Sequence, residues 1–224
     1  MTRQKLSERI LPSYTKGEEI FNMVTHIVGG AVGITALVLC VVFAAIHGNV
    51  YGVVSSSIYG ASMIILYTMS SIYHGLRPEL MAKKVFQVID HCSIFLLIAG
   101  TYTPIALCSL REYKTSLGWL IFGIIWGVAA IGITLNAIDI KKYKAFSAVC
   151  YLVMGWCIVF AWKPTALMLT PGGIALLLSG GIAYTIGAAF YYFFKKKKYM
   201  HSVFHIFVVF GSILQMLCIL FYVV

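Results

Sequence analysis

Seven apolar runs, at about residues 27–46, 52–73, 89–108, 117–136, 145–162, 173–194 and 202–223, leave this chain few ways to fold. Each is close to the roughly 20 residues that cross a hydrocarbon layer as a helix, and the segments between them are too short for a separate domain. Lipid offers no partner to a backbone N–H or C=O, so runs of this length must pair their backbone internally as helices. The expected fold is an all-α integral membrane protein: a seven-transmembrane helix bundle over residues 27–224 behind an amphipathic leader over residues 1–26. Composition agrees, because a chain that is 61% hydrophobic and 11% charged, with mean hydropathy +0.92, is more apolar than a water-facing surface tolerates. The leader is polar and has no apolar core of its own, so the first span, not a cleavable signal, is expected to direct insertion.

The net charge of +10 would suit a nucleic-acid binder if it were gathered on one folded surface. Instead it alternates with the spans. Arg3, Lys5, Arg9 and Lys16 precede span one; Arg77, Lys83 and Lys84 follow span two; Lys141, Lys142 and Lys144 follow span four; and Lys195, Lys196, Lys197 and Lys198 follow span six. Only Arg111, Lys114 and Lys163 fall on the other side. The positive-inside rule then puts the N-terminus in the cytoplasm and the C-terminus outside, in a multi-pass protein of the cell membrane with no nucleic-acid partner. Cys40, Cys92, Cys108, Cys150, Cys157 and Cys218 all lie in or at the ends of spans, without a CxxC pair, and read as small packing residues.

Against this apolar background the ionisable groups stand out, since each costs several kcal/mol or finds a partner. His201 and His205 are four apart and so share a helix face, a spacing that lets both reach one metal ion. Ser70 and His74 share a face at the end of span two, with Ser70 about 6 Å deeper. Asp90 opens span three as the one carboxylate within an apolar run. His91 points about 100° away from it around the helix, so only one of the two can face a site squarely, and Asp90 is the choice. Span two ends where spans three and seven begin, so Ser70, His74, Asp90, His201 and His205 share one level of the bilayer. Three histidines with an open fourth position are a ligand set expected of catalytic zinc, and a nearby Asp could serve as general base.

Elsewhere, Glu19, Asn22 and His26 share a face running into span one and read as interhelical hydrogen-bonding groups. The glycine pairs Gly29/Gly33 and Gly123/Gly127 have the GxxxG spacing that lets helices approach closely in lipid. Trp119, Trp162, Tyr191 and Tyr192 near span ends read as interface anchors.

The motifs Glu19-x-x-Asn22-x-x-Thr25-His26, Ser70-x-x-x-His74, Asp90-His91, Ala99-Gly100-Thr101-Tyr102-Thr103-Pro104 and His201-x-x-x-His205, in that order, resemble the haemolysin III-related branch of the progestin and adipoQ receptor family. The wider superfamily includes alkaline ceramidases. The resemblance covers nearly the whole chain and implies zinc as cofactor, with His74, His201 and His205 as ligands and with Asp90 and Ser70 beside the water that zinc activates. It implies membrane lipids as partners and leaves a homo-oligomer open. Three functions compete: a zinc-dependent hydrolase of a lipid amide or ester bond, a zinc-stapled sensor or regulator of membrane lipid state, and a pore-forming cytolysin. The last needs polar groups through the full depth, and the outer half offers few beyond Gln215, Thr101 and Thr103.

Overall fold

The computed structural model describes residues 6–194 and 197–224, so Arg3, Lys5, Lys195 and Lys196 of the orientation pattern lie outside the described residues. The helices in chain order are α1 (Lys16–Ile46), α2 (Val50–Gly75), α3 (Met81–Pro104), α4 (Arg111–Tyr113), α5 (Thr115–Asp139), α6 (Lys144–Gly155), α7 (Trp162–Met168), α8 (Pro171–Phe194) and α9 (Met200–Tyr222). Seven spans result, because α3 and α4 run on through a π-helical segment, Ile105–Leu110, and α6 and α7 through a 3-10 segment, Cys157–Ala161. The chain is a multi-pass membrane protein.

The first helix begins well before its apolar run. Thr15 caps it, accepting from the Glu18 N–H at 3.3 Å while the Glu18 carboxylate accepts from the Thr15 N–H and hydroxyl at 2.8 Å each. This capping box pairs N–H groups that a helix start otherwise leaves open. As a result Glu19, Asn22 and His26 stand on the same unbroken helix as the apolar residues.

The span Met81–Tyr113 is the central post, with 78% of its most apolar window buried inside the protein, against 28% for α1, α5 and α8. Around it α8 packs on α9, α9 on α1, α1 on α2, α2 on α3, and α3 on α5 and α6. One apolar core gathers Phe95, Tyr102, Ile105, Ile125, Met154 and Leu169 between α3, α5, α6 and α8. A second joins Ala36, Tyr59, Met63, Tyr67, Leu97 and Val208 between α1, α2, α3 and α9. The exposed isoleucine, valine and phenylalanine side chains on the outer helices are the lipid-facing surface that such a fold requires.

The two glycine pairs behave differently. A Cβ on Gly29 would lie 2.4 Å from the Tyr67 ring and one on Gly33 would lie 3.1 Å from Met63, so α1 and α2 do approach through this pair. At Gly123 and Gly127 an added Cβ would meet nothing within 4 Å. The buried face of α5 runs through Gly118, Ile121, Ile125, Ala129, Gly132 and Asn136, which turns the other pair outward, so it brings no helices together within this chain.

Candidate metal centre

The end of the bundle where α1 begins is also where α2 ends and where α3 and α9 begin. The position of α9 there is set by an unusual residue. Tyr199 has φ 62, a left-handed setting that non-glycine residues rarely adopt, immediately before the helix starts. Its N–H donates to the Glu18 carboxylate at 2.7 Å, so the start of α9 is fastened to the first turn of α1. One turn on, the Ser202 hydroxyl donates to Asn22 Oδ1 at 2.7 Å. These ties present His201 and His205 toward α2.

There they meet His74. Nε2 of His201 lies 3.3 Å from Nε2 of His74 and 3.1 Å from Nε2 of His205, and one nitrogen from each ring falls within 4.8 Å of the others. Ligand nitrogens at about 2.0–2.1 Å from a tetrahedral zinc would be about 3.3–3.4 Å apart. The far side of two rings fixes what these nitrogens carry. His74 Nδ1 donates to Glu19 Oε2 at 2.6 Å, and His205 Nδ1 donates to the Asn22 carbonyl at 3.3 Å, which leaves a lone pair on each facing Nε2. A proton on His201 Nε2 satisfies one of these lone pairs at a time, whereas a cation satisfies all three rings together. The donor set therefore fits a metal ion, with three protein ligands and a fourth position left over.

A second layer holds the first. Glu19 is shared: its other oxygen accepts from Nζ of Lys83 at 2.7 Å, and the same ammonium donates to the Leu76 carbonyl at 2.9 Å. Lys83 is 1% exposed, and its Nζ is paired with that carboxylate and the Leu76 carbonyl. A carboxylate behind a ligating histidine fixes its tautomer and ring plane and raises its basicity. Aromatic rings enclose the remainder. Tyr14 lies parallel to His201 with ring centroids 5.1 Å apart, Tyr191 is 5.2 Å from the same ring, and Tyr73 is 4.6 Å from His74. Burial pushes the Tyr14 phenol far above its ordinary range, with Tyr191 the next contributor, so this group is neutral at physiological pH.

Of the residues singled out in the sequence, His74, His201 and His205 come together. Ser70 lies on the His74 face of α2, one turn further into the bundle, with its hydroxyl buried and without a hydrogen-bond partner. Asp90 supplies no atom to the three-histidine group. Its carboxylate lies 3.6 Å from Nδ1 of His91, which itself donates to the Gln87 carbonyl at 2.9 Å, and its charge reaches the Tyr14 phenol. His26 stacks on His205 at 3.6 Å between centroids, with both ring nitrogens buried and without partners.

Four contributors were not visible as such in the sequence. Glu19 had a signal, its place on a face with Asn22 and His26, which can be followed to a histidine only once α1 and α2 are paired. Lys83 was hidden among the orientation charges. Tyr191 belongs to a row of tyrosines and phenylalanines at the end of α8 that reads as an interface belt, yet its half-buried ring faces His201 while Tyr192 is 66% exposed. Tyr14 had no signal, being one tyrosine in a polar leader.

A family model described as haemolysin-III related matches residues 14–216. Among curated proteins, Hemolysin-3 of Bacillus cereus is 41% identical over 207 residues, covering 92% of each chain. The Hemolysin-3 homolog of Bacillus subtilis (strain 168) is 40% identical over 211 residues, covering 94% of this chain and 97% of the relative. More distantly, the human Monocyte to macrophage differentiation factor is 25% identical over 163 residues, or 69% of this chain and 64% of that protein.

Proposed function

This chain belongs to the haemolysin-III related family, and from that premise we propose that it is a zinc-dependent hydrolase of a lipid amide or ester bond, embedded in the cell membrane with its site at the cytoplasmic face. One observation carries the reading: three imidazole nitrogens converge at metal-ligand spacing, a set that would leave a fourth position open, and one helical turn from His74 a buried hydroxyl has no partner. His74, His201 and His205 would hold the ion. Zinc supplies Lewis acidity in such a place, acidifying a water and polarising a carbonyl.

The chain's own residues supply the rest. Glu19, backed by Lys83, holds the His74 ring, and the Asn22 carbonyl holds His205. Ser70 offers a free hydroxyl to orient water or to donate to the oxygen on which charge develops. Asp90 would be the base that accepts a proton from the attacking water and returns it to the leaving amine or alkoxide. Placement near the headgroup level suits a lipid whose polar linkage sits there, so membrane lipids are the partners this function needs.

The test is Asp90→Asn. We expect the purified variant to keep its zinc, while membranes carrying it lose turnover of one lipid class by about 10²–10⁴-fold, the usual contribution of a general base. An unchanged lipid profile with zinc retained would favour a second reading, a zinc-stapled sensor. That alternative draws support from Asp90 giving no atom to the cluster, while Glu19, Asn22 and Ser202 tie α1, α2 and α9 together around it. The cytolytic reading draws on the name of the bacterial relatives alone.

A further inference from the structure

The chain ahead of α1 is folded onto the bundle. Leu6–Glu8 forms a 3-10 turn, and the Ser7 carbonyl accepts from Nζ of Lys84 on α3 at 2.6 Å. Arg9 is buried. At the other end of the segment the Thr15–Glu18 capping box joins it to α1, and the same Glu18 carboxylate holds the Tyr199 N–H at the start of α9. Residues 9–15 have no helix or strand of their own, so contacts of this kind are what set their path.

Between the two tethers stands Tyr14. Its ring lies over His201 at an interplanar angle of 10° and reaches His74 at 5.9 Å. His74 and His205 are buried, and His201 is the one member of the cluster that is only partly so. The strap thus sets a large aromatic ring against the one histidine of the cluster that is not fully buried.

We propose that Tyr14 is the gate of the histidine cluster, controlling what reaches it from the aqueous side, and that the strap formed by residues 6–15 holds this gate shut. The proposal deepens the metal reading and rests on it only for what lies beneath the ring. With the gate closed, small water-soluble carboxylates and phosphates that compete for an open coordination position are kept away. The favoured substrate is then one whose linkage arrives from the bilayer.

The experiment is run on purified protein stripped of metal with chelator, so that it does not depend on an ion. Diethyl pyrocarbonate acylates accessible neutral imidazoles, and the rate at His201 is followed by peptide mass spectrometry against exposed His47 as internal reference. Tyr14→Ala should raise the His201 rate roughly tenfold or more, as expected when burial of one aromatic ring holds a closed state. Tyr14→Phe should match the wild type. Lys84→Met, which frees the other end of the strap without touching the ring, should fall between them, and it decides the matter if Tyr14→Ala does not fold. Equal His201 rates in the wild type and in every folded variant of Tyr14 and Lys84 would overturn the gate. In zinc-loaded protein, Tyr14→Ala should likewise speed metal removal by added chelator. If the wild type takes up no zinc while the acylation rates differ as stated, the metal reading fails and the gate stands.

Discussion

Two polar clusters sit at the same end of this bundle and are finished in different ways. Between α3, α5 and α6, Ser147 donates to Asn136 Oδ1 at 2.7 Å, Asn136 Nδ2 donates to the Tyr151 hydroxyl at 3.3 Å, and Tyr151 donates to the His91 carbonyl at 2.7 Å. Each side-chain atom in that chain has a partner. Between α1, α2 and α9, Asn22 Nδ2, both nitrogens of His26, Ser70 Oγ and His201 Nδ1 are buried without one. Leaving a buried polar group unpaired costs about 1–3 kcal/mol. The difference separates a closed packing network from a group with polar atoms to spare, three of whose members are spaced so that they could hold a metal ion.

The contrast can be broken from either side. Replacing both His201 and His205 by Ala should abolish stoichiometric zinc, weakening binding by at least about a thousandfold, because two of three ligands go. Metal analysis of the purified variant beside the wild type checks this, and equal zinc in both would remove the assignment. Glu19→Gln keeps the shape but withdraws the charge behind His74. It should weaken zinc about 10–100-fold in competition with a chromophoric chelator, the usual effect of losing such a carboxylate. An unchanged affinity would make Glu19 a partner of Lys83 alone. The smallest effect belongs to the closed cluster. Ser147→Ala should cost about 1 kcal/mol in a detergent-unfolding titration, near the upper range of interhelical bonds in membranes, and should leave zinc affinity as it was. A loss of zinc on that substitution would show that the two clusters are coupled through α3.

Much of this was legible before the fold. The number of spanning helices follows from runs of apolar residues, because lipid enforces the backbone pairing. Three of the cluster's residues follow from the cost of placing histidine in such runs. What could not be read was who stands behind them. Glu19 reaches His74 across 55 residues of sequence, and Tyr14 meets His201 only because the segment ahead of α1 lies against the start of α9. Such contacts depend on how α1, α2 and α9 are rotated about their axes. Gly123 and Gly127 make the same point in reverse, since their spacing is right for close helix approach and the rotation of α5 turns them away.

The bond from Tyr199 to Glu18 spans 181 positions in the chain, joining the first of the seven spans to the last. During synthesis α1 emerges early, and although Thr15, His74 and Lys83 can engage Glu18 and Glu19 soon afterwards, the Glu18 oxygen that takes the Tyr199 N–H must wait until α9 has been made and inserted. Two of the three histidines arrive on that final helix. A chain halted anywhere earlier can thread its spans into lipid yet cannot assemble the cluster. The three-histidine group is accordingly among the last parts of the fold to form, however early its first member is made.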